Sequence, residues 1–112
     1  MKEKMKLCWA ENLYISDNLK KKEKKIRSQI ERDKFMTNVF LLTFPTNPQN
    51  QLDIFSCIQL KQQYVREHCP MIVGMAKGYD LALELLVQIT KDCYRDRQDA
   101  NIKAYLEEKS GR

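Results

Sequence analysis

Two short segments of the chain are apolar almost throughout, and they set the framework of the predicted fold. Residues 39–44 and residues 71–76 are apolar runs bounded by turn residues, a pattern typical of strands that are buried on both faces. The 26 residues between them are long enough for a crossover, so we expect two parallel strands with a right-handed connection. Two strands make a small sheet, which a third strand from residues 7–15 or a second copy of the protein would complete.

The clearest helix is predicted over residues 81–95. Its polar side chains recur every three or four residues and form one narrow stripe, which consists of Glu84, Gln88, Lys91 and Arg95. The rest of the circumference is mainly apolar. Such a helix is deeply buried, or it packs with one face on its own core and with another face on a partner.

A second helix is predicted over residues 19–34, which are mostly strong helix formers without glycine or proline. Its apolar side chains form a thin seam at Leu19, Ile26 and Ile30. A seam of this width is typical of a helix that lies on the surface and buries one side.

The predicted element order is helix, strand, helix, strand, helix, helix. Residues 52–58 and 102–106 supply the two short helices, while residues 59–69 fit either a helix or a loop. This order predicts a small α+β domain, similar to an α/β unit, whose sheet of two or three strands contains a parallel pair covered by helices.

The length of 112 residues predicts a single domain over residues 1–112. Residues 1–16 form an N-terminal arm or a short edge strand in this interpretation, and residues 107–112 form a tail that frays. No apolar run approaches the roughly 18–20 residues of a membrane span, so we expect no membrane contact. Four cysteines without a C-x-x-C motif, and no signal-peptide core, indicate reduced thiols and a cytoplasmic protein.

The net charge of +5 is concentrated in one segment. Residues 1–34 contain 11 basic and six acidic residues, whereas residues 35–112 are balanced. A basic helix of this kind is predicted to contact nucleic-acid phosphates, or else it is an ordinary solvated face. The residues of the predicted nucleic-acid footprint are Lys20, Lys21, Lys22, Lys24, Lys25 and Arg27.

A ligand crevice is predicted where the two apolar strands end, because open α/β sheets bind ligands at the carboxyl edge of parallel strands. The loop at 45–51 and the turn after residue 76 would meet there and offer hydrogen bonds and one charge for an anion. The lining residues in this interpretation are Thr46, Asn47, Asn50, Lys77, Gly78 and Tyr79. They include no nucleophile–base pair. The single histidine, His68, lacks the paired ligands of a structural zinc site, so we predict no metal and no cofactor.

One segment also resembles other proteins. The sequence Met71-Ile72-Val73-Gly74-Met75-Ala76-Lys77-Gly78-Tyr79-Asp80-Leu81-Ala82-Leu83-Glu84-Leu85 is similar to a strand–turn–helix segment of small uncharacterised bacterial proteins. The resemblance implies a compact α/β domain of bacterial origin. It implies no activity and no catalytic residue.

The helix at 81–95 also predicts self-association. Leu83 and Val87 lie four residues apart and extend toward Tyr94, which forms a second apolar ridge. Either the seam of the first helix covers this ridge, or a second copy covers it across a two-fold axis. The three widely spaced apolar residues of the first helix are too few to cover this ridge, so we expect a homodimer or a complex with another protein.

These features favour a small binding or accessory protein over an enzyme. The main alternative is a nucleic-acid-binding protein that uses the helix at 19–34. A small hydrolase or transferase at the strand carboxyl edge is a more distant alternative. The sequence names no catalytic residue and no ligand.

Overall fold

Four strands form one mixed sheet in the computed structural model, which describes residues 7–32, 34, 38–47 and 49–109. The strands are β1 (Trp9–Ile15), β2 (Val39–Thr43), β3 (Asp53–Ser56) and β4 (Ile72–Lys77). The helices are α1 (Glu23–Glu31), α2 (Gln63–Glu67), α3 (Tyr79–Arg97) and α4 (Ile102–Lys109). Short 3₁₀ turns at Lys20–Lys22 and Cys57–Lys61 precede α1 and α2. The mixed α+β class is confirmed, but the sheet has four strands and not two or three.

The predicted direction of the two apolar strands is wrong. The strand order is β1-β4-β2-β3, and β2 is antiparallel to both β3 and β4. Residues 52–58, which we expected to be a helix, contain β3, and β3 turns back along β2. The crossover through α2 therefore starts from β3 and carries β4 to the other side of β2. The one parallel pair joins β4 to β1, the third strand expected from residues 7–15.

Helices cover both faces of the sheet, which explains why its central strands are apolar at successive positions. Adjacent residues on β2 point to opposite sides. Leu41 packs in the cluster that contains Ile26 and Ile30 of α1, whereas Leu42 packs in the cluster that contains Ile89 of α3. The predicted seam of the first helix is confirmed, because Leu19, Ile26 and Ile30 are all buried. Thus α1 and α3 lie on opposite faces of the sheet.

The edge strand β1 is irregular where it crosses β4. From Trp9 to Tyr14 it advances five residues, while its partner advances only two, from Ile72 to Gly74. A β-carbon at Gly74 would lie 2.9 Å from the Tyr14 carbonyl oxygen, so a glycine is needed for the strands to approach this closely. The bulge opens a gap between β1 and the helices α3 and α4.

The segment at 59–69 and the described part of the predicted tail are both helical. Residues 59–69 are largely helical, divided between the 3₁₀ turn and α2. Residues 107–109 belong to α4, while residues 110–112 and 1–6 lie outside the described residues. Among the described residues, no helix has the length and apolarity that crossing a bilayer requires.

Candidate functional site

The crevice predicted between the two strand ends does not form, because β2 and β4 run in opposite directions. Lys77, at the end of β4, pairs with Val39 at the start of β2. Thr46 follows the other end of β2, and the four residue steps from Val39 to Thr43 alone span about 13 Å. Thr46, Asn47 and Asn50 therefore lie at one end of the sheet, and Lys77, Gly78 and Tyr79 lie at the other.

The polar side chains of the 45–51 loop bind the loop itself. Asp53 accepts hydrogen bonds from the Thr46 backbone nitrogen (3.1 Å) and hydroxyl (3.3 Å), and from Asn50 Nδ2 (3.4 Å). Asn47 Oδ1 accepts a bond from the Gln49 backbone nitrogen at 2.9 Å. These groups fix the connection from β2 to β3, which is a structural role.

Lys77 instead joins a cavity of about 460 Å³ beside the basic helix. Lys22 comes from the 3₁₀ turn, Lys25 from α1 and Lys77 from the end of β4, so three separate segments each supply one exposed lysine. We call this cavity the lysine pocket. Its other lining residues are the amides Asn18, Gln29 and Asn38 and the buried apolar residues Leu19, Ile26 and Val39.

Backbone hydrogen bonds hold the rim of the lysine pocket. The Gly78 nitrogen donates to the Asn38 carbonyl oxygen at 2.7 Å, which ties the end of β4 to the start of β2. Gly78 and Asn38 both have positive φ angles, of 108° and 72°, a conformation that glycine and asparagine adopt at least cost. The Lys77 nitrogen donates to the buried hydroxyl of Ser16 at 3.1 Å. The backbone that presents Lys77 is therefore fixed.

The structure divides the predicted nucleic-acid footprint. Lys20 forms an ion pair with Asp17 at 3.1 Å. Arg27 pairs with Glu23 at 3.2 Å and lies over the Trp9 ring at 4.9 Å from its centroid. Lys22 and Lys25 line the lysine pocket, while Lys21 and Lys24 do not. All four of these lysines are exposed. Only part of the footprint is thus gathered at one place.

Sequence reasoning missed the amide residues of the lysine pocket. Asn38 carries a weak local signal, since an asparagine directly before an apolar strand is a common site of positive φ. Asn18 and Gln29 carry none, because their position depends on how α1 packs against β2 and β4.

A second cavity, of about 290 Å³, lies at the bulge of β1. There the Tyr14 hydroxyl donates a hydrogen bond of 2.8 Å to Asp92 of α3. Burial, together with the nearby Tyr105 hydroxyl and the Asp92 carboxylate, raises the pKa of Tyr14 well above its usual range. The hydroxyl therefore stays protonated and ties the edge strand to α3.

Two of the cysteine thiols, Cys69 and Cys93, are not activated as nucleophiles. Burial raises the pKa of Cys69 to about 11, and burial together with Asp99 raises the pKa of Cys93. Catalytic cysteines have a lowered pKa. The ring of His68 stacks on Tyr64 with centroids 4.0 Å apart, and its Nδ1 lies 2.9 Å from the Tyr64 carbonyl oxygen. In the described part of the chain, no three histidine, cysteine or acidic side chains are grouped as metal ligands.

The third feature is the outer side of α3. Leu83, Val87 and Tyr94, the predicted interface residues, are 38%, 52% and 59% exposed, and Tyr79 is 50% exposed. These four residues recur at helical spacing and define what we call the α3 face. The sequence left open whether the first helix covers this ridge. It does not, because α1 lies on the other side of the sheet.

Comparison with known proteins finds no relative of this chain. The predicted resemblance of the strand–turn–helix segment to small bacterial proteins therefore stays a prediction. The chain matches no protein-family model, and no curated protein and no solved structure shows a significant match to it.

Proposed function

We propose that this protein is a non-enzymatic binding protein that works as a homodimer, assembled through the α3 face. The exposure of Tyr79, Leu83, Val87 and Tyr94 carries the proposal. The inner side of α3 packs on β2, β4 and α4, and α1 is on the far side of the sheet. Large apolar side chains that gather on one exposed helix face are typical of a surface that binds another protein.

Charge along α3 favours a second copy as the partner. Exposed acidic residues, Asp80 and Glu84, border the first half of the face, and the exposed basic residue Lys91 borders the second half, where Arg95 is paired with Asp92 and Asp96 of its own helix. A two-fold axis beside Val87 makes the two helices antiparallel. Glu84 of one protomer then lies near Lys91 of the partner subunit, and the apolar residues of both chains meet between them.

The chemistry of the buried groups supports binding over catalysis. The raised pKa values of Cys69, Cys93 and Tyr14 keep these groups protonated, whereas covalent catalysis needs a nucleophile activated by a base or by a lowered pKa. The strand-edge crevice that an enzyme would have used does not form.

Sedimentation equilibrium at micromolar concentration tests this proposal. The wild-type protein is expected to show about twice the mass of 13.3 kDa, and Leu83→Glu with Val87→Glu is expected to be a folded monomer. The matched control is Ile58→Glu with Tyr64→Glu, which makes the same change at exposed apolar residues away from α3 and should remain dimeric.

A charge exchange tests the antiparallel arrangement. Glu84→Lys should weaken the dimer, and adding Lys91→Glu should restore it, because opposite charges again meet across the axis. A monomeric wild-type protein would refute the proposal. So would equal dissociation of the control variant, since the association would then depend on general surface apolarity.

A further inference from the structure

The lysine pocket gathers three lysines that pair with no acidic side chain among the described residues. Within the described part of the chain, Lys22, Lys25 and Lys77 form no ion pair, whereas nearby Lys20 and Arg27 each have an acidic partner. The three ammonium groups come from segments up to 55 residues apart, so local sequence does not force them together. Like charges that share one concave site repel one another, and a bound anion relieves that repulsion.

The number of charges indicates a phosphate group. A carboxylate brings one negative charge, while a phosphate ester brings up to two charges and three acceptor oxygens that match several ammonium donors. The side-chain amides of Asn18 and Asn38, which also line the pocket, can supply further donors to these oxygens.

The rest of the pocket indicates that the phosphate belongs to a larger molecule. The volume of about 460 Å³ lies in the range of small-molecule sites and exceeds what a lone phosphate fills. Leu19, Ile26 and Val39 give it an apolar wall.

We propose that the lysine pocket binds a phosphate ester of a small molecule, such as a nucleotide or a sugar phosphate. Nucleic acid presents the same phosphate chemistry, but the arrangement favours a small ligand. A bound strand needs a continuous basic track with aromatic side chains for its bases. Here Lys20 and Arg27 form ion pairs with Asp17 and Glu23, and none of the described residues that line the pocket is aromatic.

Titration of the ¹⁵N-labelled protein, followed by NMR in a buffer free of phosphate and sulfate, tests the proposal. The probes are adenosine monophosphate, inorganic phosphate, adenosine, and duplex DNA of about 20 base pairs at about 50 and 200 mM salt. We expect adenosine monophosphate and phosphate to shift the amide signals of Lys22, Lys25 and Gly78. Adenosine, which has no phosphate, should leave them in place.

Two matched triple variants separate the pocket from general surface charge. Lys22→Gln, Lys25→Gln and Lys77→Gln remove three charges from the pocket, whereas Lys21→Gln, Lys24→Gln and Lys61→Gln remove three exposed charges outside it. Each charge-assisted hydrogen bond contributes about tenfold in affinity. The pocket variant should therefore bind adenosine monophosphate about 1,000-fold more weakly, and the control should change less than about threefold. If the triple variant unfolds, the single variant Lys77→Gln replaces it in the test and should lose about tenfold in affinity for adenosine monophosphate.

Each opposing outcome overturns the proposal. One is a wild-type protein that binds neither adenosine monophosphate nor inorganic phosphate at millimolar concentration. Another is an equal loss of affinity for adenosine monophosphate in both triple variants, which would indicate that binding depends on overall positive charge and not on the pocket. A third is binding of duplex DNA without binding of adenosine monophosphate, which would identify nucleic acid as the ligand. The inference goes beyond dimer formation and does not depend on it. Repeating the titration with the monomeric Leu83→Glu/Val87→Glu variant therefore keeps failure of one proposal distinct from failure of the other.

Discussion

Replacing Arg66 by methionine should destabilise the protein strongly, although Arg66 belongs to a five-residue helix near the surface. The side chain is buried, and it donates hydrogen bonds to the carbonyl oxygens of Ile30 (3.3 Å) and Glu31 (2.7 Å), the last two residues of α1. The last turn of a helix has no following turn to donate to its carbonyl groups, and the guanidinium of Arg66 supplies donors there. Arg66 also lies 3.5 Å from the Glu31 carboxylate.

The magnitude follows from what Arg66→Met leaves unsatisfied. Methionine keeps most of the volume, so the cost comes mainly from two charge-assisted hydrogen bonds at about 1.5 kcal/mol or more each. The Glu31 carboxylate retains its bonds from Trp9 Nε1 (2.7 Å) and the Leu7 nitrogen (3.3 Å), so it is not left without donors. The expected loss is about 3 kcal/mol. For a chain of 112 residues this lowers the melting temperature by about 13 °C.

Urea denaturation followed by circular dichroism measures this loss. The matched control is Arg95→Met, the same change at an arginine that is 68% exposed and pairs with Asp92 and Asp96. Exposed ion pairs contribute little, so the control should lose less than about 1 kcal/mol. The reasoning is refuted if the free energy of unfolding of Arg66→Met lies within about 1 kcal/mol of the wild-type value. Water would then replace the guanidinium at the end of α1.

Two further predictions concern titrating groups. Tyr14→Phe should cost about 1 kcal/mol at pH 8 through the lost bond to Asp92. The difference in stability between the wild-type protein and Tyr14→Phe should narrow above pH 10. The pKa of Tyr14 is raised in the folded state, so only the unfolded wild-type chain releases that proton and gains stability from it. A difference in urea midpoints that stays constant up to pH 11 would contradict this. In alkylation at pH 8 followed by mass spectrometry, the exposed Cys8 should react first. Cys69, with its pKa of about 11, should react far more slowly because less thiolate is present. The buried thiols should react only when the protein unfolds. Equal alkylation rates at all four cysteines would contradict this prediction. The buried thiols are Cys57 and Cys93.

Local patterns were sufficient where an element is defined by its own side-chain spacing. The stripe that marks residues 81–95 predicted α3, and the seam of Leu19, Ile26 and Ile30 predicted which side of the first helix is buried. The exposed ridge at Leu83 and Val87 was also predicted. In each case a helix places residues three and four positions apart on one side, so the sequence alone defines the face.

Strand pairing, in contrast, was decided by the tertiary structure. The four residues of β3 are too few to show a strand period, so the local pattern of residues 52–58 predicts a helix instead. That error reversed the expected direction of β4 and placed Lys77 at the wrong end of the predicted crevice.

The amino-acid sequence by itself determined the apolar strands, the amphipathic helices and the concentration of basic charge in the first third of the chain, because each is a property of neighbouring residues. Only the tertiary structure decided that Lys22, Lys25 and Lys77 share one cavity and that Arg66 caps α1. These contacts join residues 35 to 55 positions apart. Contacts at that separation depend on strand direction and on helix packing across the sheet, and no local period encodes either one.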